Sequence, residues 1–205
     1  LIEYVKNGIQ KVSGADKRKQ RYIYWDLLAL MRGVMSSPDA GISMLQNKID
    51  KREDSSSANT DDESEQVYIF NDPLKDLLNA DDVVPEALET TSNTDKKEFT
   101  HFIEQLEHIK ETDSDEKVKQ ALDIVKFSLD NGMNPIVFCQ YIQTAEYVGK
   151  YITEKLAANK KFKKVVVGIV TSRLADEERK MKIDALSQED RHVLVCTDCL
   201  SEGVN

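Results

Sequence analysis

The sequence predicts an α/β fold in which a parallel sheet covered by helices is preceded by a mostly helical region. Short apolar runs with the length of buried strands occur at residues 135–139, 165–170 and 192–196. Segments with the apolar spacing of amphipathic helices alternate with these runs at residues 115–129, 144–156 and 174–186. Continuous apolar strands that alternate with helices are typical of a parallel sheet covered on both faces.

The first half of the chain shows helical spacing and no such strand pattern. Lys17 to Met35 carries apolar residues at the spacing of a helix. Ser36-Ser37-Pro38 ends that helix, because proline disfavours helical backbone in the residue before it. Asp39 is the predicted N-cap of a second helix that runs to about Ile49, and Phe99 to Lys110 is predicted to form a further helix.

Polar stretches interrupt these helices. Lys51 to Gln66 is acidic and contains one alanine and no larger apolar side chain. It cannot bury enough surface to offset its ordering entropy, so a mobile loop is predicted there. Asp72-Pro73 is predicted to open a short helix, and residues 81–96 to form another loop. The expected organisation is a helical region at 1–112, with its acidic loop at 51–66, and an α/β domain at 113–205.

Composition excludes several classes of protein. The chain has 205 residues, 40% of them hydrophobic and 32% charged, which suits a folded core with a charged surface. No stretch approaches the roughly 20 apolar residues of a membrane-spanning helix. Three cysteines, two of them near one apolar run, do not resemble a secreted disulfide framework, so we expect a reducing, cytoplasmic or nuclear location. The start lacks both a methionine and a signal peptide, and we expect a piece of a longer protein.

The charge is unevenly distributed. The net charge of −9 argues against a simple basic nucleic-acid binder. Residues 1–116 hold 14 basic and 25 acidic side chains, a net charge of −11, whereas residues 117–205 hold 14 and 12, a net charge of +2. Nucleic-acid contact by the second part would therefore meet no strong repulsive field.

Ligands of such sheets bind at the carboxyl ends of the strands. The segments expected there are 140–144, 171–176 and 197–205. In the last of these, a strand runs into Thr197-Asp198-Cys199-Leu200-Ser201-Glu202-Gly203-Val204-Asn205. Loop amides and hydroxyls at such a place can hold a phosphate. On spacing alone, an ordinary strand-to-helix turn capped by Asp198 or Ser201 fits as well.

These residues resemble a known family pattern. Thr197 to Asn205 closely resembles motif V of superfamily 2 helicases, above all in the bacterial RapA-like and Swi/Snf-related branch, with Cys196 where that branch has alanine. Asn134 to Tyr141 resembles motif IV, and Asp176 to Arg179 resembles the Glu-Glu-Arg stretch before motif V. The resemblance implies that residues 113–205 form a partial RecA-like helicase C-terminal lobe.

The resemblance also implies roles for particular residues. Nucleic-acid contacts are implied for Thr197 and Asp198 and for Gln140 and Thr171 at the ends of the other strands. Positions in the ATP cleft between two lobes are implied for Ser201, Glu202, Gly203 and Asn205. The implied protein is an ATP-dependent helicase or DNA translocase that acts on nucleic acid, with DNA favoured over RNA, and that uses ATP and Mg²⁺ in its complete form.

The catalytic half of such a motor does not occur in this sequence. There is no Gly-x-x-x-x-Gly-Lys-Ser/Thr loop and no arginine-bearing motif VI. Asp61-Asp62-Glu63-Ser64 has the letters of a Walker-B box but follows no apolar strand. We therefore expect no catalytic residues in residues 1–205, no ATP hydrolysis by them alone, and a first RecA-like lobe as partner.

Other hypotheses compete with this one. A non-enzymatic α/β module that recruits proteins through its acidic loop would have the same pattern. Cys196-Thr-Asp-Cys199 has the spacing of a redox pair or half a zinc site, but Cys196 falls among core residues, and we expect no metal site. His101 and His108 flank Glu104 at helical spacing and are expected to be solvated surface groups. Trp25, near Tyr22 and Tyr24, could stack on bases, although core packing is the simpler use.

Overall fold

The structure is a computed structural model that describes residues 1–11, 17–55 and 93–197. The chain divides into two compact units, Leu1–Thr112 and Asp113–Asn205. None of the described helices is both long and apolar enough to cross a membrane.

The first unit is helical throughout its described part. Its helices are α1 (Ile2–Lys11), α2 (Lys17–Ser36), α3 (Pro38–Ser55) and α4 (Asn93–Glu111). They pack around buried Leu30, Leu45, Ile49, Phe99 and Leu106. Ion pairs join the helices at the rim of this core, with Lys48 Nζ 2.5 Å from Asp26 Oδ1 and Lys110 Nζ 2.5 Å from Asp39 Oδ1.

The break between α2 and α3 lies where it was predicted, but the predicted cap is wrong. The side chain that caps α3 belongs to Ser37, whose Oγ accepts a hydrogen bond from the Ala40 amide at 3.2 Å. Pro38 is the first helical residue, a position that proline favours because its missing amide would have no partner there. Asp39 therefore lies inside the first turn, where its charge suits the helix dipole.

The polar stretches differ from the prediction at their borders. α3 continues through Ser55, so the first five residues of the predicted loop at 51–66 are helical, as the high helix propensity of Lys51, Arg52 and Glu53 allows. α4 begins at Asn93, inside the predicted loop at 81–96. Residues 56–92, which include the rest of the acidic loop, Asp61 to Ser64 and the predicted helix at Asp72-Pro73, lie outside the described residues.

The aromatic residues of α2 are more exposed than was predicted. Tyr24 and Trp25 are 48% and 36% exposed, and their rings meet edge to face with centroids 6.0 Å apart. The prediction that Trp25 packs in the core is therefore wrong. The helix turns its buried side, which includes Leu27 and Leu30, towards the core instead.

The second unit confirms the predicted α/β class. Its elements are α5 (Glu116–Asp130), β1 (Ile136–Cys139), α6 (Ile142–Ala157), β2 (Val166–Val170), α7 (Asp176–Ser187) and β3 (His192–Thr197). Asp115 caps α5 by accepting from the amides of Lys117 and Val118. Gly132 has φ of 75° in the turn that follows α5, a left-handed conformation that glycine adopts without strain.

Among the described residues the strands form a parallel sheet in the order β1-β3-β2, with the last strand in the chain at its centre. Alternate residues of β3 face two different cores. Val193 and Val195 pack with residues of α5 and α6, such as Val125 and Ile152. Leu194 and Cys196 pack on the other face, beneath α7.

The expectation of a sheet covered on both faces is wrong for β1. Ile136 and Phe138 are 54% and 59% exposed, although they lie beside buried Leu194 and Cys196 of β3. The reason is the placement of α7, which packs on β2 and β3. The outer face of β1 therefore has no helix over it within the described part of the chain.

Candidate nucleic-acid interface

Three predicted site residues lie together at the carboxyl edge of the sheet. Cys139 pairs with Thr197, and Val170 pairs with Cys196. Because the strands are parallel, Gln140, Thr171 and Thr197 all lie at the same edge. The structure thus brings together the ends of three strands that are far apart in sequence.

The three side chains differ in their access to solvent. Gln140 is exposed, whereas Thr171 and Thr197 are 4% and 0% exposed. A buried hydroxyl cannot meet a phosphate in this conformation. The turn that follows β2 is closed by the backbone, because the Thr171 carbonyl accepts a hydrogen bond from the Leu174 amide at 3.1 Å.

The amino end of α6 adds a favourable field at this edge. Its N-cap is Tyr141, which makes no side-chain capping hydrogen bond, and no acidic residue lies in its first turn. The positive end of the helix dipole is therefore not offset by a carboxylate within that first turn. It lies directly after Gln140, so an anion beside that side chain would be stabilised.

Arg173 is a polar residue of this edge that the sequence analysis did not single out. Its Nη1 lies 3.0 Å from Oε1 and 3.3 Å from Oε2 of Glu146, which joins the loop after β2 to the start of α6. Its side chain is 45% exposed. Two features of the sequence could have identified Arg173 as a candidate site residue. It lies within 171–176, a segment expected at the strand ends, and guanidinium groups suit phosphate recognition.

The amino end of α7 has the opposite character. Its first turn contains Asp176, Glu177 and Glu178, and Arg179 pairs with Asp176. These carboxylates suit the dipole of their own helix but repel a phosphate. The part of the edge suited to an anion therefore lies around Gln140 and α6 rather than around α7.

The remaining predicted site residues, Asp198, Ser201, Glu202, Gly203 and Asn205, lie outside the described residues, as does Cys199. Cys139 and Cys196 are both buried, on adjacent strands. They face different cores, one with α5 and α6 and the other under α7. Each therefore packs as a small apolar side chain.

The described candidate metal ligands have other neighbours within their own units. His101 and His108 are exposed on α4, and the His101 ring meets Gln105 at 3.0 Å and Glu104 at 3.7 Å. His192 Nδ1 lies 2.9 Å from the Glu189 carbonyl in the second unit. Within the described ranges, no three His, Cys, Asp or Glu side chains are placed to share a metal ion.

A separate polar cluster lies where the second unit begins. Lys155 Nζ lies 2.7 Å from Asp113 Oδ2, and this hydrogen bond, with a second one from Tyr151, holds the pKa of Asp113 below its usual value. Burial, followed by the bond to Asp113, raises the pKa of Tyr151 to about 12. Asp113 has φ of 51°, so the cluster secures a residue in a sparsely populated backbone conformation.

The fold and this edge together define a parallel α/β domain whose polar strand ends form one surface. Residues 116–205, from α5 to the end of the chain, match the family model described as the helicase conserved C-terminal domain. The match confirms that this part of the chain resembles a helicase C-terminal domain. The comparisons with curated proteins and with solved structures found no match.

Proposed function

We propose that residues 113–205 serve as the second RecA-like lobe of an ATP-dependent superfamily 2 helicase or DNA translocase of the RapA-like and Swi/Snf-related branch. The observation that carries the proposal is the family match, which spans all three strands whose carboxyl ends gather Gln140, Thr171 and Thr197. The chain would act in the cytoplasm on DNA rather than RNA.

In this proposal the carboxyl edge holds nucleic-acid backbone. Gln140 is exposed beside the uncapped start of α6, so its amide would donate to a phosphate with support from the helix dipole. Arg173 would add charge from the adjacent loop. Thr171 and Thr197, which are buried, would act by fixing the loops that follow them, and Asp198 would orient donors in the last of these loops.

The proposed ATP cleft is shared with a partner lobe. Ser201, Glu202, Gly203 and Asn205 would face a nucleotide held mainly by a first RecA-like lobe, because this sequence contains no phosphate-cradling Gly-Lys-Ser/Thr loop of its own. ATP and Mg²⁺ would bind in the complete protein, where the metal and a charge-stabilising arginine support phosphoryl transfer.

The second candidate function is a non-enzymatic interaction module that has kept the fold. The net charge of −9 favours it, because residues 56–92 alone hold one basic and ten acidic side chains. Such a module would bind basic protein surfaces and would show no dependence on the carboxyl edge.

A binding measurement separates the two candidates. We would titrate the chain into a fluorescent DNA duplex of about 20 base pairs at low salt and compare Gln140→Ala with Gln120→Ala, an exposed glutamine on α5. Loss of one hydrogen bond should weaken binding about 2- to 10-fold for the first variant and leave the second unchanged. Equal affinity for both variants would exclude Gln140 as a contact and favour the interaction module.

A further inference from the structure

The turn between α6 and β2 carries a concentration of positive charge. Lys160, Lys161, Lys163 and Lys164 surround Phe162, and no acidic residue occurs from Lys155 to Lys164. We call residues 159–164 the lysine loop. It ends one residue before β2 begins, so it lies at the amino edge of the sheet, opposite the candidate interface. Five residues of β2 separate the two edges, about 16 Å.

The lysine loop is held in one conformation by its own backbone. The Phe162 amide donates to the Asn159 carbonyl at 3.0 Å, and the Val165 amide donates to the Phe162 carbonyl at 2.9 Å. Asn159 Oδ1 accepts from the Lys161 amide at 3.0 Å. The Phe162 ring is 3% exposed and belongs to the core formed with α5 and α6. The lysines therefore project from an ordered platform.

Arg191, which directly precedes β3, connects the lysine loop to the end of α5 through hydrogen bonds. Its Nη1 donates to the Lys161 carbonyl at 3.3 Å and its Nη2 to the Leu129 carbonyl at 3.2 Å. Its guanidinium carbon lies 5.5 Å from the centre of the Phe162 ring. Lys161 is used internally as well, because its Nζ pairs with Asp130 Oδ1 at 2.7 Å.

Three charges remain for an outside partner. Lys160, Lys163 and Lys164 are exposed and make no ion pair with any described residue. Asp130 is the acidic partner of Lys161. Glu154 on α6, and Glu189 and Asp190 in the turn before β3, form no ion pair with the loop among the described residues. With Phe162 buried, the loop presents charge without an apolar side chain that could insert into a lipid layer.

We propose that the lysine loop binds a second stretch of nucleic-acid phosphate backbone, apart from the contacts proposed at the carboxyl edge. Lysine ammonium groups act as point charges that neutralise phosphates without sequence readout. A platform ordered before binding loses less conformational entropy on association. The inference relies on the proposed function only for the identity of the partner.

The test uses the whole 205-residue chain and the same labelled duplex, titrated at salt concentrations from about 25 to 200 mM. The variant is Lys160→Gln/Lys163→Gln/Lys164→Gln. Its matched control is Lys97→Gln/Lys150→Gln/Lys180→Gln, which removes the same charge from exposed lysines elsewhere. Each lost phosphate contact should reduce the steepness of the plot of log affinity against log salt by about 0.9. With three lysines replaced, the slope should become shallower by about 2 to 3, and the variant should bind the duplex at least roughly 10-fold more weakly at low salt.

The outcomes separate this inference from the proposed function. A control that loses as much affinity as the lysine-loop variant would show a general charge effect and overturn the inference. If the lysine-loop variant binds the duplex normally while Gln140→Ala binds it more weakly, the inference is overturned and the proposed function stands. If the lysine-loop variant binds more weakly while Gln140→Ala binds normally, the inference stands and the proposed contact at the carboxyl edge is overturned. Binding of the loop to anionic vesicles or to a polyglutamate peptide, with no effect on the duplex, would also overturn it. Failure of the unaltered chain to bind the duplex at the lowest salt would reject both.

Discussion

The contact of α6 with β2 gives a quantitative test of the structure. Gly149 of α6 faces Ile169 of β2, and a Cβ added at Gly149 would lie 2.5 Å from both Cδ1 and Cγ1 of that isoleucine. Carbon atoms do not approach so closely, so Gly149→Ala must displace the isoleucine or lift the helix. The contact matters for the candidate interface because α6 begins at the carboxyl edge.

Two effects oppose each other in this variant. Alanine is favoured over glycine inside a helix by about 0.8–1.0 kcal/mol, whereas overpacking a core costs about 1–3 kcal/mol. We therefore expect Gly149→Ala to destabilise the unit by about 0–2 kcal/mol. In an Ile169→Ala background only the Cβ remains, 3.7 Å away, and the same substitution should stabilise by about 1 kcal/mol. The two positions should thus be coupled by about 1–3 kcal/mol.

Urea unfolding followed by circular dichroism would give the four free energies of the double-mutant cycle. Hydrogen exchange of peptides from β3 would assign the change to the second unit. Gly132→Ala is the control, because its φ of 75° makes alanine strained while nothing lies within 4 Å of the added atom. Its cost should not depend on residue 169. Stabilisation by Gly149→Ala in both backgrounds would show that α6 does not pack on β2 as described.

Further predictions concern the helix cap, the charged cluster and the proposed motor. Ser37→Ala should cost the first unit about 0.5–2 kcal/mol in thermal unfolding, because the Ala40 amide loses its partner. Asp113→Asn should weaken the anchor to Lys155 at neutral pH. The folded pKa of Asp113 is lowered, so its stabilisation is present above about pH 4 and is lost as the pH falls; a pH series of melting temperatures should show that the variant lacks this acid-sensitive loss. In a complete two-lobed protein, Thr197→Ala should reduce nucleic-acid-stimulated ATPase more than basal ATPase, and equal losses would contradict the proposed role. The purified 205-residue chain should show no ATP turnover in a phosphate-release assay.

The elements of the second unit could be predicted from sequence because each apolar run is bounded by residues with strong local preferences. Asn131-Gly132 ends α5, Pro135 precedes β1, and Asp115 caps α5. Strand and helix limits agree with the structure to within about two residues. The parallel arrangement followed from the alternation of strands and helices.

The sequence could not predict which strand lies at the centre or which face stays uncovered. Apolar side chains at Ile136 and Phe138 indicate a tendency towards burial, but burial depends on which helix crosses that face. α7 follows β2 and packs on β2 and β3, so within the described residues one face of β1 has no helix over it. This is a property of helix placement in three dimensions, and no local pattern in β1 contains it.

Local competition explains the errors in the first unit. Ser37 and Asp39 are both good N-cap residues, and both precede residues with helical spacing. Pro38 decides between them, since its fixed φ suits the first helical position and its missing amide costs nothing there. The motif Ser36-Ser37-Pro38 thus indicates the start of α3 as well as the end of α2, and the prediction used it only for the end of α2.

The candidate interface shows how far residue type and position can lead. The sequence predicted correctly that the strand ends lie at one edge. The groups accessible at that edge, however, are an amide and a guanidinium and not the threonine hydroxyls. Thr171 and Thr197 are buried, whereas Gln140 and Arg173 are accessible. A phosphate that reached this edge would therefore meet the amide, the guanidinium and the start of α6 before it met either hydroxyl. Substitution of the buried threonines should then act indirectly, through packing at the strand ends, and substitution of Gln140 should act on binding directly.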